Sequence, residues 1–183
     1  MGKHRSSIDD SARKFIDAQP IFFVSTAPLE SDGHINISPK GLDTLRILGP
    51  TTIAYLDLTG SGIETISHLK QNGRIVLMFC SFQGPPNILR VHGRGTVVEA
   101  GQEEFAELAA HFPEQEGARA IISVEVSRIS DSCGYAVPLL RYEGERDQLS
   151  AWARKLGPEG LKAYRREKNQ RSIDHIPGLE ERA

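Results

Sequence analysis

Hydrophobic and polar positions change period several times along this chain, and each change marks an element. In "DDSARKFIDAQ" (9–19), Ala12, Phe15 and Ile16 recur on one side at helical spacing. "IFFVSTA" (21–27) is rich in aromatic and β-branched residues and is predicted as a strand. "PLESDGH" follows with an Asp-Gly turn signal. In "HINIS" (34–38) strict alternation sets Ile35 and Ile37 on one face and Asn36 and Ser38 on the other, with Pro39 and Gly41 expected to end the strand. "TTIAYLD" (51–57) is a further strand. "ETISHLKQN" (64–72) is a short helix with Ile66 and Leu69 on one face and Gly73 as its stop signal.

The second half continues in the same manner. "RIVLMFCSF" (74–82) is a long apolar strand, "QGPP" a tight turn, and "NILRVHGRGTVVEA" (87–100) a strand whose Gly93 and Gly95 point to strong coiling or a bulge. "QEEFAELAAHF" (102–112) is an amphipathic helix and "ARAIISVEVSRIS" (118–130) another strand. Beyond it, two helical stretches are divided by Gly157-Pro158, and the chain ends in "QRSIDHIPGLEERA", which has little periodicity. About six strands joined by hairpin-length turns argue for an antiparallel barrel and against a doubly wound parallel sheet. The expected fold is therefore mainly β with peripheral α. It forms a single domain over 1–183, with barrel and short helices in 1–143 and a C-terminal helical extension and tail in 144–183.

Composition narrows the class. The chain has 183 residues, enough for one substantial core, and a net charge of −2, which gives no basic field for nucleic acid. No apolar run approaches the ~20 residues of a membrane span. The N-terminus lacks a signal-peptide core, although "MGKHRS" matches the loose N-myristoylation pattern. Of the two cysteines, Cys80 lies in an apolar run and Cys133 in a turn, which fits a reducing, cytoplasmic setting better than a disulfide scaffold.

The chemistry concentrates at "LTGSGIETISHL" (58–69), where a strand stops at small residues and a helix starts at once. Gly60 and Gly62 allow converging backbone amides, Ser61 and Thr65 add hydroxyls, and the helix adds its positive end, so the stretch could hold a phosphate. Ser61 and Glu64 also make an S-x-x-E capping box, which needs no ligand, and Glu64 would repel a phosphate unless it points away. "INISPKG" (35–41) places Asn36, Ser38 and Lys40 on one side of a strand end; such a patch is either a second binding group or a solvated strand end.

"FFVSTAPLESDGHINISPKG", "AYLDLTGSGIETISHLKQNGRIVLMF", "ILRVHGRGTVVE" and "SCGYAVPLL" resemble, in that order, the pyridoxamine 5′-phosphate oxidase-like flavoproteins over roughly residues 10 to 140. The ending "LKAYRREKNQRSIDHIPGL" is similar to the tail of an uncharacterised branch of them. The resemblance implies a six-stranded antiparallel FMN-binding split barrel, working as a homodimer with FMN at the subunit interface. By that likeness Asn36, Ser38 and Lys40 line the flavin ring and ribityl chain. Thr59, Ser61, Gly62, Ile63 (through its amide) and Thr65 hold the phosphate, Arg90 stands near the cofactor, and Ser132 and Cys133 approach the flavin from the partner chain. Four positions depart from the pattern. Ile63 replaces an Asn, Glu64 and Thr65 stand where the true oxidases carry an Arg-Lys pair, and Ile88 stands where they have Gln. The chain also lacks their Arg-Leu-x-Pro ending. Vitamin B6 oxidation is disfavoured by these departures more than FMN binding is.

The function so implied is an FMN-dependent oxidoreductase acting on a small organic substrate or a nicotinamide donor, with no catalytic residue assigned. The alternatives are a non-catalytic flavin carrier, redox sensor or haem-handling protein on the same barrel, and a barrel that has lost its cofactor; a deazaflavin is another possible ligand. The six histidines have no metal-ligand spacing. His68 is expected to face solvent. Trp152 and Tyr164 are expected in the core or an interface. "RREKNQR" (165–171) is expected to be a solvated helix face.

Overall fold

Eight strands and four helices alternate in the computed structural model, which describes residues 4–180. The first residues of "MGKHRS" and the last of "GLEERA" lie outside that range. The strands are β1 (His4–Arg5), β2 (Phe22–Thr26), β3 (Asn36–Lys40), β4 (Leu45–Gly49), β5 (Thr52–Leu58), β6 (Arg74–Cys80), β7 (Ile88–Glu99) and β8 (Ala118–Ser132). The helices are α1 (Asp10–Asp17), α2 (Glu64–Asn72), α3 (Glu103–Ala109) and α4 (Gln148–Lys168). Every strand pairing is antiparallel, in the order β3-β2-β6-β7-β8-β5-β4, with β1 against β8. The hydrogen-bonded path ends at β3 and β4 and does not close, which defines a split barrel with peripheral helices.

Two strands go beyond the six expected. β1 is a two-residue pairing, and β4 is a short edge strand hidden between Gly41 and Pro50. Pro39 lies inside β3, where it was expected to end the strand. As an edge strand, β3 pairs on one side only, so a residue without an N–H costs the sheet nothing on its open side. The coiling expected at Gly93 is a register shift: His92 faces Arg128, but Gly93 faces Val126. A side chain at Gly93 would run into Glu125 O, so the two strands approach too closely for any other residue.

The barrel interior is filled from both faces of the sequence pattern. Phe22, Val24, Tyr55, Leu77, Phe79, Val91, Ile122 and Ile129 form its centre, and α1 contributes Ala12 and Ile16 while α2 contributes Ile66 and Leu69. A smaller cluster of Ala54, Leu56, Ile121 and Phe112 seats α3 on the outer face. α2 ends at Gly73 in the left-handed conformation (φ 70°), whose N–H bonds Leu69 O. α4 is broken at Gly157, and Trp152 and Tyr164 meet edge-to-face across the break, ring centres 5.0 Å apart. Among the described residues no helix is long and apolar enough to cross a membrane.

Candidate functional site

The carbonyls of the loop between β5 and α2 are held from one side. Arg119, at the start of β8, donates from Nη1 to Gly60 O (3.1 Å) and from Nη2 to Gly62 O (2.7 Å). Asn169, which caps the end of α4, donates from Nδ2 to Gly60 O (2.9 Å) and Ser61 O (3.4 Å). A trans peptide sets each carbonyl antiparallel to the next residue's N–H. With three successive carbonyls drawn inward, the N–H groups of Ser61, Gly62 and Ile63 face the other way. Ser61 and Gly62 are exposed, and their N–H groups have no partner among the described residues. The loop is therefore a row of outward amides at the positive end of α2, the arrangement that binds an anionic oxygen.

Behind this loop lies a buried ionic cluster. Asp57, fully buried near the end of β5, accepts from Lys40 Nζ (2.8 Å) and Arg119 Nε (2.7 Å). Burial alone would raise its carboxyl, but the Lys40 and Arg119 charges and their hydrogen bonds outweigh that and lower it to about 2. A third cation, Arg165 of α4, donates to Thr59 Oγ1 (2.8 Å) and Ala118 O (3.1 Å) and has no carboxylate partner among the described residues. Burial, and then the Arg119 charge, lower its pKa from the ordinary value. Three cations, Lys40, Arg119 and Arg165, and two carboxylates, Asp57 and Glu64, thus surround the loop, an excess of one positive charge.

A neutral network flanks the helix start. Asn36 Nδ2 donates to Thr65 Oγ1 (2.9 Å) and lies 3.4 Å from Thr26 Oγ1, which meets His68 Nδ1 at 3.0 Å. His68 was expected in solvent but is fully buried; burial pushes its imidazole below 6.5, and Nε2 has no partner among the described residues. The S-x-x-E capping box does not form. Ile63 is the N-cap residue, Ser61 makes no cap bond, and Glu64 Oε2 accepts from Ile63 N–H (3.0 Å) while Oε1 accepts from Ile173 N–H (3.3 Å). The Ile63 side chain is buried beneath the C-terminal tail, where a side chain on Gly178 would come within 2.7 Å of Ile63 Cγ1 and would meet Asn169 O. That cover is the local reason for an apolar residue in an otherwise polar loop.

The structure brings Asn36, Ser38 and Lys40 together on the inward face of β3, and joins Asn36 to Thr65 directly. Thr59 is buried, its hydroxyl donating to Gly117 O (2.7 Å) and accepting from Arg165. Arg90 Nη1 donates to Ser132 Oγ (2.9 Å), with Cys133 exposed beside it as a free thiol. These three do not join the others within one chain. Ser38 lies in register with Val24, Leu77 and Val91 on the barrel's inward face, whereas Pro39, Phe23, Met78, Arg90 and Ser130 form the adjacent row facing outward. Ile35 and Ile37 also face outward from β3 and are 76% and 63% exposed.

Four residues of the site went unnoticed in the sequence: Asp57, Arg119, Arg165 and Asn169. The run "RREKNQR" was expected as a solvated face, yet Arg165 is half-buried and Asn169 fully buried. Two signals were there to be used. Asp57 is a lone carboxylate closing an apolar strand, and Arg119 a lone cation opening another; unlike charges in two apolar strands pair when the strands are neighbours.

The fold and loop define an antiparallel split barrel with an anion-binding turn. A family model for pyridoxamine 5′-phosphate oxidase matches residues 8–133, and the chain belongs to that family. It is 38% identical over 190 residues to the pyridoxamine 5′-phosphate oxidase family protein ustO of Aspergillus flavus, covering 94% of this chain and 76% of that one. Among solved structures it is similar in fold to HupZ of group A Streptococcus (TM-score 0.55, 20% identity, 73% of this chain and 99% of that one). It is similar also to an FAD-binding protein of Mesorhizobium loti (TM-score 0.50, 12% identity, 72% and 96%).

Proposed function

We propose that this chain is an FMN-binding flavoprotein that works as a homodimer, an oxidoreductase passing two electrons between the flavin and a small organic substrate or a nicotinamide donor. The observation that carries this reading is the Ser61–Ile63 turn, whose carbonyls are pinned inward by Arg119 and Asn169 and whose amides face out. The residues fit a phosphate monoester. Ser61, Gly62 and Ile63 would hold it through backbone N–H groups, and a carboxylate of the chain itself, Glu64, already sits on the Ile63 N–H as a stand-in anion. When bound, the flavin supplies the two-electron redox chemistry. Asn36 and Ser38 offer hydrogen bonds from the neighbouring strand edge, and Lys40 keeps a fixed positive charge there through its pairing with Asp57. The FAD-binding relative and the family membership support a flavin over other phosphates.

The second protomer enters through the faces of the sheet. Arg90 and Ser132 point away from the Asn36–Lys40 row of their own chain, so a ligand touching both sets needs two copies. The exposed Ile35 and Ile37 give β3 an apolar outer face suited to such a contact. A groove of about 350 Å³ between α4 and the end of β7 is lined by Arg119 and Arg165, and neither it nor a groove of about 710 Å³ beside the end of α2 is lined by Asn36, Ser38, Lys40, Arg90, Ser132 or Cys133.

Purified protein tests the proposal. A flavin band at roughly 450 nm, a sedimentation coefficient of a dimer, and a higher melting temperature on FMN addition are expected. Anaerobic bleaching by a nicotinamide donor, with recovery on adding an acceptor, is expected of the oxidoreductase; a bound flavin that no donor reduces leaves a carrier. Colourless protein whose melting is unmoved by FMN would overturn the flavin reading.

A further inference from the structure

We infer that Asn169 is a positioning residue that presets the anion-binding face of the Ser61–Ile63 turn, making the end of the C-terminal helix part of the cofactor site; this rests on the phosphate reading above. Asn169 is fully buried, although it lies in the most polar run of the chain. Every hydrogen-bonding group it carries is engaged. Its N–H donates to Arg165 O (2.8 Å) and its carbonyl accepts from Leu179 N–H (2.9 Å). Oδ1 accepts from Arg119 Nη1 (2.9 Å), and Nδ2 donates to Gly60 O and Ser61 O. The primary amide accepts from the guanidinium and donates to both loop carbonyls at once.

The grip is built from two directions. Arg119 spends Nε on Asp57 and its two terminal nitrogens on Gly60 O, Gly62 O and Asn169 Oδ1, so the guanidinium plane, the carboxamide and the loop carbonyls form one connected unit. Behind Asn169 the tail folds back on itself: Gly178 N–H donates to Gln170 O (2.8 Å), Lys70 Nζ donates to Gly178 O (2.6 Å), and Gly178 packs where a side chain would strike Asn169 O. Arg165, one turn earlier on the same helix, holds Thr59 Oγ1 at the start of the loop. The carbonyl direction of residues 60–62 is therefore set by Arg119, 57 to 59 positions later in the chain, and by Asn169, 108 to 109 positions later. Peptide planarity converts that direction into the outward aim of the amides. A loop fixed before the ligand arrives avoids the ordering cost on binding.

The test compares a ligand with the phosphate to one without it. Affinities of FMN and riboflavin are measured by flavin fluorescence for wild type, Asn169→Ala and Asn169→Asp, alongside ¹⁵N order parameters of Ser61 and Gly62 in the ligand-free proteins. Asn169→Asp keeps the acceptor for Arg119 and loses the donor to the carbonyls, so it guards against a variant that fails to fold. Expected are a loss of FMN affinity of about tenfold in each variant, from hydrogen bonds of ordinary strength, and riboflavin affinity changed by less than about twofold. The Ser61 and Gly62 order parameters are expected to fall from roughly 0.85 toward 0.6. Equal losses for both ligands, or no loss of FMN affinity, would overturn the positioning role. Wild type that binds FMN no better than riboflavin would instead overturn the phosphate reading, and the order parameters alone would then decide whether Asn169 sets the loop.

Discussion

Two buried polar clusters flank the candidate site, and they are built on opposite principles. Under the loop, Lys40, Asp57 and Arg119 are charged, mutually paired and tied to backbone carbonyls. Beside the start of α2, Thr26, Asn36, Thr65 and His68 are neutral, and one imidazole nitrogen has no partner among the described residues. A buried carboxylate with two cations is held by interactions that fail together: removing one member leaves a charge in low dielectric. A chain of hydroxyls, an amide and a neutral ring can lose one bond and adjust. The ionic cluster is suited to fixing the loop, and the neutral cluster to a wall that accommodates a ligand.

The largest effect tests the first half of that contrast. Asp57→Asn leaves Arg119 buried without its carboxylate and is expected to cost about 3 kcal/mol or more in urea unfolding; a loss below about 1 kcal/mol would make the cluster no more than a set of hydrogen bonds. Acid should expose the same group. Asp57 titrates at about 2 in the folded chain and near 3.8 when unfolded. Its contribution is complete above about pH 4 and is lost as pH falls toward 2, by about 2 kcal/mol for a shift of this size. Asp57→Asn should lack that component, so acid unfolding curves of the two proteins should converge at the lowest pH.

The neutral cluster should respond more weakly. Thr26→Val removes the hydroxyl that meets His68 Nδ1 and lies 3.4 Å from Asn36 Nδ2, with an expected loss of about 1–2 kcal/mol. The imidazole gives an independent measure. Burial lowers the His68 pKa below 6.5, so as pH falls below that value the unfolded chain takes up a proton that the folded chain resists, and stability declines. An NMR titration should find the His68 midpoint below 6.5. A His68 that titrates above 6.5 would place a charge in this wall and remove the contrast with the ionic cluster.

The same contrast explains what could be foreseen. Alternation around Ile35–Ser38, the long apolar run 74–82, and the small-residue turn before Glu64 are local patterns, and each became the element its pattern implied. β4 was missed because Leu42 and Asp43 adopt left-handed backbone (φ 61° and 54°) without any glycine to announce it, and the strand itself is five residues long. The ionic cluster joins positions 40, 57 and 119, and its link to Asn169 spans a further fifty residues. No period or motif connects such positions; only the pairing of β5 with β8 and the return of α4 bring them together. The polar run 165–171 misled for a physical reason. Charged residues usually mark a solvated face, but Arg165 and Asn169, one helical turn apart, face the loop and satisfy its backbone.

The smallest effect lies at the outer edge of the neutral cluster, where His34 Nδ1 meets Asp174 Oδ1 at 2.6 Å and ties the C-terminal tail to the turn before β3. The hydrogen bond that His34 donates to Asp174, and then the Asp174 charge, raise His34 above 6.5, and the same bond in turn lowers Asp174. A raised histidine favours the contact when protonated, so the link is complete below pH 6.5 and is lost as pH rises through the raised value. The backbone N–H of His34 also donates to Asp174 Oδ2 (2.8 Å), and that bond does not titrate with the ring. The tail should therefore stay in place at high pH while the ring is released. Asp174→Asn should return the His34 titration to about 6.5 with an unchanged melting midpoint, because the ring is exposed and screened. If Asp174→Asn instead lowered the melting midpoint as much as Thr26→Val, the exposed link would belong with the buried clusters, and the ordering by burial that separates these effects would fail.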